Sequence, residues 1–173
     1  MRRRRQDFQT LLHIVLEQKV SLTSAAAVLE RVNRLCPVLT PDNFLMIPTL
    51  DLREAGISKR KLEYCQSIAA ALIDGSLDLS HLRKLDDEAV IETLIKIRVI
   101  GPWTANVFLL MAMCRADAWA SGDRALAVSV TECYALDEVL SYAALDEMAI
   151  QWSPFRAAAA RMLWYVYLCK RGK

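Results

Sequence analysis

The stretch Leu94–Leu126, LIKIRVIGPWTANVFLLMAMCRADAWASGDRAL, decides how the chain is organised. Its first residues predict a helix with polar edges that ends in a tight turn at 99–101. Pro102 then begins a long apolar helix, since proline suits the first helical turn. A loop of small residues leads on to Gly122 and Asp123. The pattern predicts two helices joined by a turn, followed by a loop that presents one acidic side chain.

Helical periodicity also dominates the rest of the 173-residue chain, and no alternating pattern predicts a strand. We therefore expect an all-α domain over residues 8–173, built from about ten short helices. One of these is predicted to run from Leu136 to about Ile150. Residues 1–7 form a basic arm containing Arg2–Arg5. This arm is either a solvated tail or a weak phosphate-binding segment.

Composition argues against several classes of protein. The net charge is only +2, so bulk charge points to no particular partner. No apolar run approaches the roughly 18 residues of a membrane span, and no signal peptide follows the basic arm, so we expect a protein of the bacterial-type cytosol. The five cysteines and two histidines lie at no metal-ligand spacing. We expect reduced, buried thiols, no iron–sulfur cluster and no side-chain metal site.

The turn before Pro102 can bind an anion. Backbone N–H groups at the start of a helix, together with the positive end of its dipole, suit a phosphate. Gly101 would let that phosphate approach closely. The alternative is an ordinary connection between two helices.

Asp123 also has two interpretations. Aspartate at a helix start is usually a cap that accepts a hydrogen bond from the first turn. It can instead be a functional carboxylate presented by the loop. The residues on either side do not decide between these interpretations.

The order of several motifs resembles one known family. The hairpin 97–106 and the Gly122-Asp123 pair are similar to the helix–hairpin–helix plus Gly/Pro-rich-loop-Asp (HhH-GPD) superfamily of DNA glycosylases, and most like the DNA-3-methyladenine glycosylase II branch. The other matching segments are Leu16–Ser21, Leu52–Lys61 with Tyr64, Trp152–Arg156, and Trp164 with Tyr165. The resemblance extends over nearly all of residues 8–169.

The resemblance implies a fold and an activity. The fold is two-lobed and helical, with a cleft between a lobe of middle helices (about 36–130) and a lobe of the first and C-terminal helices. Family members flip a damaged nucleotide out of the duplex and hydrolyse its N-glycosidic bond. We expect a monofunctional glycosylase of base excision repair, acting as a monomer on double-stranded DNA that contains a 3-methyladenine or 7-methylguanine type of base.

The resemblance also assigns residues. Asp123 matches the catalytic aspartate, which stabilises positive charge developing on the sugar. The base pocket is matched by Trp103, Trp164, Tyr165 and Gln18. The DNA backbone would lie on Val99, Ile100, Gly101, Trp103 and Thr104. Lys19 stands at the position that wedges into the duplex. Carbonyls of Ile95, Ile97 and Ile100 match a site for Na⁺ or K⁺, and no other cofactor is implied.

Trp103 predicts the type of glycosylase. Relatives that also cut the strand, such as endonuclease III, carry at this position a lysine that forms a Schiff base. Tryptophan cannot form one, so no abasic-site lyase activity is expected. An indole face can instead stack on a cationic alkylated base, a contact worth about 0.5–2 kcal/mol. For Trp164 and Tyr165 the alternative is plain core packing.

The chain departs from the family pattern at four points. Val99 replaces a glycine and would be strained if that position required a positive φ. Lys19 replaces an apolar wedge and suits phosphates better than base stacking. Val107 replaces a pocket aromatic residue, and we expect a short form without the N-terminal β-rich domain.

Two other functions are alternatives to a glycosylase. The main one is a helix–hairpin–helix module that binds damaged or branched DNA without cleaving it, and the other is a protein-interaction domain.

Overall fold

The computed structural model of the protein describes residues 4–172, and all its regular elements there are helices. They fall into two compact units. The N-terminal unit comprises residues 5–101, and the C-terminal unit comprises 102–172 together with Arg4. The lobe boundaries given from the sequence stay a prediction. No helix of the described residues is long and apolar enough to cross a membrane.

The N-terminal unit contains six α-helices and a 3₁₀ turn among its described residues. These are α1 (Phe8–Glu17), α2 (Leu22–Leu35), α3 (Pro41–Met46), α4 (Thr49–Glu54), α5 (Lys59–Ile73), the turn His81–Lys84 and α6 (Asp87–Ile95). Polar side chains start most of them. Ser21, Thr40 and Ser58 each accept a hydrogen bond from the backbone N–H three residues on, which stabilises a helix start.

The core of the N-terminal unit forms around α1 and α5, which pack on each other. One face of α1 is almost fully buried, and its Phe8 meets Phe44 of α3 edge to face, with ring centroids 5.5 Å apart. The ammonium group of Lys61 donates to the carbonyl of Leu16 over 2.6 Å, so α5 also holds the last turn of α1. Burial lowers the pKa of Lys61. This contact fixes the helix end from which Lys19 follows.

The C-terminal unit contains α7 (Pro102–Phe108), a π-helical continuation (Leu109–Met113), α8 (Arg124–Cys133), α9 (Tyr142–Ala149), a 3₁₀ turn (Ile150–Trp152) and α10 (Arg156–Cys169). Helices α8 and α10 pack closely. The buried Ser129 hydroxyl of α8 donates to the carbonyl of Leu163 in α10 over 2.8 Å. This bond fixes the register of the residue that follows Leu163, which is Trp164.

The helix predicted from Leu136 is shorter than expected, because α9 begins only at Tyr142. Ala135 has a left-handed backbone, with φ 51°. The N–H of Leu140 donates to the Thr131 hydroxyl, and Ser141 then caps α9. Contacts with the end of α8 therefore hold residues 135–140 outside a helix, and apolar spacing alone does not register such contacts.

The expectation of buried thiols was wrong for three cysteines. Cys36 and Cys65 are buried, whereas Cys114, Cys133 and Cys169 are exposed. The exposed three lie at or just beyond helix C-termini. Burial raises the pKa of the Cys65 thiol to about 12.

Only part of the basic arm is described. Arg2 and Arg3 lie outside the described residues. The backbone N–H of Arg4 donates to the Met111 carbonyl over 2.9 Å. The side chain of Arg5 is 94% exposed. The role of the basic arm, as a solvated tail or as a phosphate-binding segment, stays a prediction.

Candidate active site

Asp123 occupies the N-cap of α8. Its backbone is extended, and its Oδ1 accepts a hydrogen bond from the Leu126 N–H over 3.0 Å. The preceding Gly122 has φ 78°, a conformation that favours glycine and turns the chain sharply into the helix. Asp123 is therefore a helix cap, as the first of its two interpretations predicts. Yet the residue is 9% exposed, which is more burial than a cap alone requires.

Two tryptophans complete the surroundings of the carboxylate. The indole N–H of Trp103 donates to Oδ2 over 2.9 Å, and that of Trp164 donates to Oδ1 over 3.1 Å. With the amide of Leu126, three N–H donors from α7, α8 and α10 converge on one side chain. An ionised carboxylate is an acceptor at both oxygens, so this arrangement suits the charged form and fixes its orientation.

The two indoles are differently placed. Trp164 is 7% exposed and belongs to the packed face of α10. Trp103 is half-buried in the first turn of α7. Of the residues predicted for the site, the structure thus brings Trp103, Trp164 and Asp123 together. It shows that the indole edges face the acid, which the sequence did not indicate.

Tyr165 follows Trp164 but points elsewhere. Successive helical residues are rotated by about 100°, and Tyr165 is 63% exposed. A hydrogen bond with Cys169 raises its pKa. The pocket role of Tyr165 stays a prediction.

Three other residues named from the sequence lie elsewhere in the chain. Val107, which replaces a pocket aromatic residue of the family, is buried in α7. Gln18 and Lys19 belong to the N-terminal unit, and the pocket role of Gln18 stays a prediction.

The loop before Asp123 is anchored to the start of α10 by an ion pair that the sequence did not reveal. Both Asp117 oxygens accept from the Arg156 guanidinium, from Nε and Nη2, each over 2.8 Å. The hydroxyl of Ser153 adds a third bond over 2.9 Å. These contacts, led by the Arg156 hydrogen bonds, lower the pKa of Asp117 to about 2.

A second carboxylate holds the same loop. Asp146 of α9 accepts from the Trp119 indole N–H over 2.9 Å and from the Ser121 hydroxyl. A buried indole N–H needs an acceptor, which could have suggested a partner for Trp119. Nothing in the sequence says that the partner lies 27 residues further on.

The hairpin turn lies at the end of the N-terminal unit. Its N–H groups at Ile97 and Ile100 donate to the carbonyls of Leu94 and Ile97, over 3.1 and 2.8 Å. The amide of Ile100 is thus used within the turn. A carbonyl oxygen has two lone pairs, so the bond from Ile100 leaves Ile97 able to accept a cation as well.

Val99 is not strained. Among the described residues other than glycine, a positive φ occurs only at Lys19, Cys114 and Ala135. The condition under which valine would be unfavourable at position 99 therefore does not arise. A Cβ added to Gly101 would meet no described atom within 4 Å, so the turn is open on that side.

Comparisons with known proteins agree on the kind of protein. Residues 12–153 match the family described as HhH-GPD superfamily base excision DNA repair protein. The DNA-3-methyladenine glycosylase of Saccharomyces cerevisiae is 31% identical over 130 residues, which are 69% of this chain and 44% of the yeast protein. The chain spans a similar share, 43%, of a Bacillus subtilis relative.

Solved structures show the same fold. The DNA-3-methyladenine glycosidase of Bacillus halodurans superposes with a TM-score of 0.79 at 30% identity, covering 96% of this chain and 77% of that one. The 3-methyladenine DNA glycosylase of Schizosaccharomyces pombe, solved in complex with abasic DNA, gives 0.84 at 24% identity, covering 95% and 80%. The all-α fold expected from the sequence is confirmed.

Proposed function

Because the chain belongs to the HhH-GPD superfamily of base excision DNA repair proteins, we propose that it is a monofunctional DNA glycosylase that excises alkylated bases. The observation that carries the proposal is the Asp123 carboxylate, 9% exposed and oriented by two indole N–H groups. Its substrate is duplex DNA containing a base of the 3-methyladenine or 7-methylguanine type, as the names of the relatives support.

Asp123 acts on the charge of the transition state. Cleavage of the N-glycosidic bond leaves positive charge on the sugar, and a fixed carboxylate nearby stabilises it. Because its donors are already in place, the carboxylate does not have to reorient as the charge develops. The same carboxylate orients or deprotonates the water that attacks the sugar. The base leaves with the bonding electron pair, and the product is an abasic site.

The residue at position 103 argues against a lyase step. A Schiff base requires an amine, and Trp103 stands where strand-cutting relatives carry one. Among the described residues of the C-terminal unit, lysine occurs only at Lys170, whose ammonium lies 3.4 Å from Glu132. We therefore infer that the strand stays intact after base release.

The hairpin holds the DNA backbone in this proposal. Since the amide of Ile100 bonds within the turn, the phosphate is assigned to the amides that follow, at Gly101 and Trp103. The open side of Gly101 allows a phosphate oxygen to approach. Carbonyls of the turn, Ile97 among them, would hold a monovalent cation, which would bring positive charge close to that phosphate.

One observation favours a second function, a module that binds damaged or branched DNA without cleaving it. Lys19 stands at the wedge position, is exposed and has φ 57°. Its ammonium suits a phosphate and not the gap left by a flipped base. In this case Asp123 would serve only as the cap of α8.

A glycosylase assay on a lesion panel separates the two functions. Duplexes carrying methylated, deaminated or oxidised bases are incubated with the protein, and released bases are measured by chromatography. The proposal predicts release of methylated purines, with strand breaks only after alkali treatment. Salt-dependent binding with no release from any duplex would establish the binding module, and strand cleavage without alkali would refute the monofunctional assignment.

A further inference from the structure

The loop 114–122 connects the π-helical turn to Asp123 and has no regular structure. Its backbone bonds near the acid are local, from Ser121 N–H to the Trp119 carbonyl and from Asp123 N–H to the Ala120 carbonyl. Ala118, Trp119 and Ala120 are buried. At the far end of the loop, the Ala116 carbonyl accepts from the Ala157 N–H of α10 over 3.0 Å. The position of the part next to Asp123 therefore depends on packing and on the side chains that anchor it.

Asp146 anchors the part of the loop nearest to Asp123. One carboxylate oxygen accepts from the Trp119 indole over 2.9 Å, and the other accepts from the Ser121 hydroxyl. Trp119 is 5% exposed and also packs against Trp152, with ring centroids 5.6 Å apart. The two bonds hold Trp119 and Ser121, which lie four and two positions before Asp123.

The two hydrogen bonds of Asp146 affect where the Asp123 carboxylate lies. Asp123 meets its indole donors at 2.9 and 3.1 Å, which are ordinary distances for N–H···O hydrogen bonds. A shift of the loop by about 1 Å would break them, and displacements of that size can cost about a hundredfold in rate. The capping bond to Leu126 restrains only one of the two oxygens.

We propose that Asp146 is a positioning residue for Asp123, an inference that rests on the proposed glycosylase function for its effect on rate. Asp146 makes no hydrogen bond to Asp123 or to its two indoles; it acts through Trp119 and Ser121. Its two bonds set where the loop places the carboxylate between Trp103 and Trp164.

The test compares three variants. Asp146→Ala removes both bonds. Asp146→Asn keeps both, because its carbonyl accepts from Trp119 and its amide donates to the Ser121 oxygen, which reverses role. Glu147→Gln alters the neighbouring acid of α9, which is exposed, and serves as the matched control. Base release from methylated duplex gives kcat and KM for each variant.

We expect kcat to fall about ten- to a hundredfold in Asp146→Ala with KM for DNA nearly unchanged. Asp146→Asn should restore most of kcat, and Glu147→Gln should match the wild type. Unchanged kcat in Asp146→Ala would overturn the proposal, as would a loss that Asp146→Asn does not restore.

A second readout does not depend on activity. The chain has four tryptophans, whose indole N–H resonances can be followed in protein labelled with ¹⁵N-tryptophan. The Trp119 signal must move in Asp146→Ala, since its acceptor is gone. The proposal predicts that the Trp103 and Trp164 signals move as well, and unshifted signals for both would overturn it.

The readouts also separate this proposal from the proposed function. A wild-type protein that releases no base but shows the coupled indole shifts would refute the glycosylase assignment and support the positioning role. If Asp146→Ala does not fold, Ser121→Ala removes one of the two bonds. It is expected to give the same shifts and the same loss of kcat on a smaller scale, and the absence of both would count against Asp146.

Discussion

Both oxygens of the Asp123 carboxylate accept hydrogen bonds from indole rings. In the proposed mechanism the indoles have two separable tasks. The ring N–H orients the acid, and the ring face stacks on the base. Phenylalanine retains an aromatic face and has no N–H. Substitution by phenylalanine therefore tests the first task and leaves much of the second intact.

For Trp103→Phe and Trp164→Phe we predict a fall in kcat of about ten- to a hundredfold each, since a hydrogen bond to a charged group contributes about 1.5–3 kcal/mol. Single-turnover base release from methylated duplex measures it. Tyr134→Phe, which changes an exposed ring at the end of α8, is the control. Full activity in both tryptophan variants would show that the indole N–H groups do not matter for catalysis.

At the scale of single residues, the sequence identified Asp123, Trp103 and Trp164, and the structure places them in contact. The sequence did not identify Asp146 or Asp117, the two carboxylates that hold the loop before Asp123. Their partners Trp119 and Arg156 lie 27 and 39 positions away along the chain. Such pairings arise from helix packing, which local motifs do not encode.

Among the structural elements, the hairpin differs most from what its sequence suggested. Valine at position 99 was expected to be unfavourable if the turn required a positive φ there. The backbone of Val99 does not have a positive φ. The turn closes instead through the bond from Ile100 to the Ile97 carbonyl. The hairpin therefore needs no glycine at position 99.

Val99→Gly should consequently bring no gain in DNA binding. We predict an affinity for abasic duplex within about twofold of the wild type and a stability lower by up to about 1 kcal/mol, the entropic cost of glycine. Fluorescence anisotropy measures the affinity, with Gly101→Ala as a variant that narrows the open side of the turn and should bind more weakly. Binding that improves tenfold in Val99→Gly would mean that Val99 is strained after all.

At the scale of the whole molecule, one contribution to the stability in acid comes from the ion pair that holds the loop against α10. Arg156 lowers the folded-state pKa of Asp117 from the usual 3.8 to about 2. The pair therefore stabilises the fold fully above about pH 4, and this contribution is lost as the pH falls through about 2.

The variant Asp117→Asn lacks this titration. We predict that it is less stable than the wild type at pH 7, and that its stability declines less steeply between pH 4 and pH 2. Urea unfolding at pH 2, 3, 4 and 7 gives the comparison. Curves that stay parallel over the acid range would show that the pair contributes nothing to the pH dependence.

The sequence was sufficient for the fold class, since helical periodicity and the order of the motifs indicate an all-α chain of this superfamily. It was less reliable for the start of α9, where tertiary contacts with Thr131 override the apolar spacing. The exposure of Cys114, Cys133 and Cys169 likewise depends on where helices end. Periodicity reports which face of a helix is apolar and says little about loops.

The central claim is that the Asp123 carboxylate does the chemistry, and Asp123→Asn tests it most directly. Asparagine is as good a helix cap as aspartate, so the fold of α8 should survive while the charge is lost. Asp137→Asn, at an exposed acid of the same unit, is the control. Base release from methylated duplex should fall at least about a hundredfold in Asp123→Asn, with abasic-DNA binding retained and the control unchanged. Undiminished release in Asp123→Asn would contradict the account.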